Sequence, residues 1–118
     1  MGTVADNVTA VRDRIAQAAL RSGRRPEDIR LIAVTKTVRP EVVQQAVDAG
    51  VTDLGENRVQ EALTKVNALP ERVTWHLIGH LQTNKAKQAV EFFPWVHSVD
   101  SLHLAQTLEK RAAALGRR

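Results

Sequence analysis

The chain has 118 residues, of which 43% are hydrophobic and 25% charged, the size and balance of one small globular domain and too little for two. It contains no cysteine, which excludes disulfides, thiolate metal sites and thiol nucleophiles. The net charge of +4 comes from five lysines and twelve arginines against 13 Asp and Glu, but the early arginines are interleaved with Asp13, Glu27 and Asp28, and aromatic residues make up only 3%. That mixture reads as a solvated helix face, so a nucleic-acid partner is not expected, although a ligand carrying phosphate is compatible.

In chain order, the N-terminus turns polar at once and lacks the apolar core of a signal peptide. Nowhere do apolar residues run long enough to span a membrane. With the absence of cysteine, this points to a cytoplasmic protein. Residues 3–23 predict a helix, with Val4, Val8, Val11 and Ile15 on one stripe and Ser22-Gly23 as its stop. After the charged connector RRPEDIR the pattern changes to short apolar runs, each followed by a helical period. LIAV (31–34) precedes a helix that starts at Pro40 and leaves at Gly50, positions each residue suits. VTDL (51–54) ends in Gly55-Glu56-Asn57, and Val59, Ala62, Leu63, Val66 and Leu69 then share a helix face. WHLI (75–78) leads through GHLQTNK to a helix around KAKQAVEFF. WVHSV (95–99) leads to a helix with Leu104, Leu108, Ala112 and Leu115 in line.

The runs begin at 31, 51, 75 and 95, at intervals of 20, 24 and 20 residues. Such alternation predicts an α/β domain: an N-terminal helix, then four βα units forming a parallel sheet, as one domain over 1–118. Two architectures fit, an open parallel sheet with helices on its faces and half of a (β/α)₈ barrel, whose full form needs about 250 residues. In either, the strands' C-terminal ends form one edge, where ligands bind. Lys36, Glu56, Asn57, His80, Gln82, Asn84, Lys85, His97, Ser98 and Asp100 all fall at or near it.

Each has an ordinary role as well. A strand-end lysine usually extends to water, and Gly55-Glu56-Asn57 is turn and cap chemistry. His76, between Trp75 and Leu77, suits a hydrogen-bonded core position. His76 and His80 have a spacing that aligns metal ligands on a helix, not across a strand and a turn, so no metal site is expected. Gly79 belongs to no phosphate-binding glycine motif.

Taken in order, AVTKT, DLGENRVQE, WHLIGHLQTNK and WVHSVDSLHLA resemble the YggS/PROSC family of pyridoxal-phosphate-binding proteins, and the likeness covers nearly the whole chain. It implies an alanine-racemase-like barrel of which this chain is about the N-terminal half. It also implies pyridoxal 5'-phosphate held as a Schiff base on Lys36, with Asn57, His76 and Gly79 beside the cofactor. The implied role is non-catalytic: holding and delivering the cofactor, with links to amino-acid and keto-acid balance. On this reading the apolar run LIAV should desolvate the Lys36 ammonium and favour the neutral amine. The family's phosphate cradle is on later strands, so weak cofactor binding is expected here. Association with a second copy or a complementary chain is also expected, since half a barrel leaves strand edges unpaired. Two alternatives compete. One is a racemase-like pyridoxal-phosphate enzyme, against which the absence of tyrosine counts; the other is a basic nucleic-acid- or protein-binding module with a vestigial site.

Overall fold

The computed structural model describes residues 2–118. The first helix, α1 (Val4–Arg21), starts at a capping box in which the Thr3 hydroxyl accepts from the Asp6 amide and the Asp6 carboxylate accepts from the Thr3 amide, both at 3.1 Å. Its stripe is only half used. Val8 packs on the core and Ala19 is buried, while Val11 remains 43% exposed.

Four strands follow: β1 (Ala33–Val34), β2 (Asp53–Glu56), β3 (Thr74–Leu77) and β4 (Trp95–Val96). They pair in the order β1-β2-β3-β4, all parallel. Between and after them come α2 (Pro40–Asp48), α3 (Val59–Lys65), α4 (Ala86–Phe92) and α5 (Leu102–Ala114). Pro40 begins α2 as expected, and the chain leaves that helix through Gly50 at φ 100°, a conformation that favours glycine. The outer strands are shorter than the apolar runs predicted, because LIAV and WVHSV each find a neighbour on one side only. Their ladders extend one bond further, from the Thr35 amide to the Gly55 carbonyl and from the His97 amide to the Leu77 carbonyl, both 2.9 Å.

Side chains alternate across the sheet. Leu54, Trp75 and Leu77 face the helices and join Val43 and Val47 of α2, Val59 and Ala62 of α3, Ala89 of α4 and Leu104 of α5 in one core. The opposite face carries Val34, Gly55, His76 and Trp95, with Val34 and Trp95 about half exposed. A doubly wound sheet reverses strand order partway and covers both faces with helices. Sequential order with helices over one face is instead the arrangement of a (β/α)₈ barrel. The chain therefore forms four βα units of such a barrel, preceded by α1, which lies against α2.

Among the described residues no helix is long and apolar enough to cross a membrane.

Candidate functional site

The C-terminal edge of the sheet brings together the turns after β1, β2 and β3. The turn after β1 runs Thr35-Lys36-Thr37-Val38 and is closed by the Val38 amide donating to the Thr35 carbonyl at 3.1 Å. Thr37 has φ 61°, the sign a type II turn requires at its third residue and an unfavourable one for a β-branched side chain. Extending the β1–β2 register by two residues sets Lys36 alongside Asn57. The Lys36 side chain is exposed. The expectation that LIAV desolvates its ammonium is therefore not met: the strand ends at Val34, Thr35 turns inward against Glu56, and Lys36 beyond it is left exposed.

Asn57 and Gly79 meet directly. A Cβ added at Gly79 would lie 2.5 Å from the Asn57 carbonyl oxygen and 2.7 Å from its Cα. Glycine at 79 is thus required by the close approach of two backbones. Both residues line a cleft of about 520 Å³ with Arg58, His80, Gln82 and Lys85. Neither Lys36 nor His76 lines it.

His76 is instead on the sheet's open face, 1% exposed. Its Nε2 is 2.8 Å from Asp53 Oδ1 and its Nδ1 is 2.9 Å from His97 Nε2. Arg30 donates to the same Asp53 oxygen at 3.0 Å, and its guanidinium lies 5.9 Å from the Trp95 ring centroid. Burial works against ionisation of Asp53, but hydrogen bonds from His76, Thr52 and Arg30 and the charge of Arg30 outweigh it and hold the carboxyl below its ordinary pKa. Asp53 Oδ1 is an acceptor for a His76 Nε2–H, and the ring's other nitrogen pairs with His97 Nε2. His76 is thus buried with both ring nitrogens paired, on the face of the sheet opposite the helices.

Beneath the Lys36 turn is a second buried network that the sequence reading passed over. Glu56 is 0% and Lys65 4% exposed. Lys65 Nζ donates to Glu56 Oε2 at 3.0 Å and to the Thr35 carbonyl at 2.6 Å. The Thr35 hydroxyl also donates to Glu56 Oε2, and Glu61 Oε1 accepts from the Thr37 amide at 2.8 Å. The available signal was helical spacing. Lys65 falls three residues after the buried Ala62, at the border of the stripe that faces the sheet, where a lysine needs a partner.

No family model matches the chain. Curated relatives do. The pyridoxal phosphate homeostasis protein of Escherichia coli K12 is 42% identical, with 97% of this chain and 50% of that protein covered. The Pseudomonas aeruginosa protein of the same name is 46% identical, with 98% of this chain and 51% of that protein covered. Among solved structures, an unknown protein from Bifidobacterium adolescentis superposes with a TM-score of 0.86 at 38% identity, over 96% of this chain and 51% of that one. PipY of Synechococcus elongatus with pyridoxal phosphate bound superposes with a TM-score of 0.73 at 49% identity, over 87% of this chain and 50% of that one. The chain spans about half the length of these proteins, and over that span it belongs to the YggS/PipY family, whose curated members are named pyridoxal phosphate homeostasis proteins.

Proposed function

We propose that this chain is a single partial-barrel domain, 1–118, that binds pyridoxal 5'-phosphate covalently through Lys36 and serves its cytoplasmic homeostasis without catalysing a reaction. The observation that carries this reading is the Thr35–Val38 turn, which presents an exposed primary amine at the C-terminal edge of the sheet, beside the Asn57 turn. When bound, the cofactor supplies an aldehyde carbon that condenses with such an amine. The names of the relatives and the cofactor held by PipY support the same reading.

The residues present suit the aldehyde end of the cofactor. Lys36 is exposed, so an aldehyde can reach its amine from solvent. Asn57, on the neighbouring turn, would offer an amide donor and acceptor. Gly79 keeps Asn57 where it is by leaving room for its backbone. His76, expected beside the cofactor, has both ring nitrogens engaged and would act there through its ring face and its hold on Asp53 and His97. The chain contains no tyrosine to act as the second base of a racemase-like enzyme, which favours the non-catalytic role.

The test is covalent trapping. Protein mixed with pyridoxal phosphate and reduced with borohydride should carry its label on Lys36, and Lys36→Ala should lose the visible absorbance band that Lys85→Ala and Lys87→Ala retain. Label spread evenly over the lysines, or concentrated on Lys85, overturns the assignment.

A further inference from the structure

We propose that Glu56, Lys65 and Glu61 are positioning residues that clamp the two peptide groups flanking Lys36, so that its amine is presented in one direction for capture of an aldehyde. This deepens the reading of Lys36 given above and rests on it.

The clamp is built from three contacts that converge on one turn. The Lys65 ammonium holds the carbonyl of Thr35, immediately before Lys36, at 2.6 Å. Glu56 holds the hydroxyl of the same threonine. Glu61 holds the amide of Thr37, immediately after Lys36, at 2.8 Å. A further link joins clamp to clamp, since Lys65 Nζ lies 3.0 Å from Glu56 and 3.9 Å from Glu61.

Sheet stability does not require this arrangement. The β1–β2 ladder is already closed at this end by the Thr35 amide on the Gly55 carbonyl. A leucine at 65 and an apolar residue at 56 would fill the same space without withdrawing two charges from water, and such replacements are often neutral or stabilising. What the ion pair adds is directional bonding to a turn that opposes its own backbone preference. Thr37 is held at φ 61°, where a β-branched residue is rarely stable without such restraint. The result is a fixed backbone on both sides of a side chain that is itself exposed. Reaction with an aldehyde gains from that division, because a fixed base reduces the set of directions from which the amine can approach.

The experiment uses the full chain, pyridoxal 5'-phosphate, borohydride reduction and quantitative peptide mapping, with circular dichroism to establish folding. In the wild type Lys36 should carry most of the label. In Lys65→Met the ratio of label on Lys36 to label on the exposed Lys87 and Lys110 should fall by about tenfold. Glu61 is partly exposed, so Glu61→Ala is the milder variant. It should lower that ratio by about threefold, and Glu61→Gln, which keeps an oxygen for the Thr37 amide, should restore it. Without any cofactor, amide exchange at Thr37 and Val38 should quicken in Lys65→Met and Glu61→Ala but not in Glu61→Gln. If Lys65→Met fails to fold, the two Glu61 variants decide. Selective labelling of Lys36 that persists unchanged in the folded variants overturns the clamp alone. Even labelling in the wild type overturns the role of Lys36 itself, and the clamp's role with it.

Discussion

Replacing Gly79 by alanine tests whether the edge of the sheet is built as described. The added methyl would stand 2.5, 2.7 and 2.8 Å from the carbonyl oxygen, Cα and Cβ of Asn57, whereas non-bonded carbon atoms settle at about 3.5–4.0 Å. The two turns must therefore part by roughly 1 Å. The obstacle is mostly backbone, tied down by the Ile78 amide on the Glu56 carbonyl at 3.0 Å and by the β2–β3 ladder, so it cannot swing aside as a side chain would. Overpacking costs about 1–3 kcal/mol, and a rigid obstacle argues for the upper part of that range. At about 2.1 cal/mol/K per residue, unfolding 118 residues carries an entropy of roughly 0.25 kcal/mol/K, so 2–3 kcal/mol lowers Tm by about 8–12 °C. Gly55→Ala is the control. Its methyl would meet side-chain methyl groups and no backbone, Ile32 Cγ2 at 3.1 Å and Ile78 Cδ1 at 3.3 Å, contacts that must give by only a few tenths of an ångström, and it should cost less than about 1 kcal/mol, or roughly 4 °C. Thermal melts followed by far-UV circular dichroism measure both. A Gly79→Ala midpoint within about 2 °C of wild type, or a larger loss in Gly55→Ala, would refute the reasoning.

Two further outcomes follow from the open face of the sheet. The carboxyl of Asp53 has a depressed pKa, so its contribution to stability is fully present above the ordinary aspartate value of about 3.9 and is lost as pH falls through the lower folded value. Asp53→Asn should therefore be most costly at neutral pH, and its deficit in urea melts should shrink below about pH 3.9; a deficit that stays constant through that range contradicts the assignment. Val34 and Trp95, 51% and 50% exposed beside two unpaired strand edges, should drive association with a second copy or a complementary chain. Sedimentation at micromolar concentration should show species heavier than the 13.1 kDa chain, shifted towards monomer by Trp95→Ser, whereas a compact monomer that binds no ANS would sink this expectation.

The fold was legible because its signals are local. An apolar run of four residues, a proline opening a helix and a glycine closing it each report on neighbours along the chain, and their regular recurrence identified the βα units and the parallel sheet. Choosing between an open sheet and half a barrel was not local. It took the sequential strand order and the helices over one face, which the family likeness anticipated and the run spacing could not. Within the site, the meeting of Asn57 with Gly79 follows from adjacent strands ending together, and the burial of His76 agrees with its apolar neighbours. The environment of Lys36 was misread, because four apolar residues before a lysine say nothing about which way a turn carries it. Lys65 was overlooked because a helical stripe is judged by its apolar members. Its partners, Glu56 and Thr35, lie 9 and 30 positions away, as Asp53 lies 23 from His76. Periodicity records which face a residue takes, while the bonds that make a buried charge tolerable depend on the register between strands and helices, and that exists only once the chain has folded.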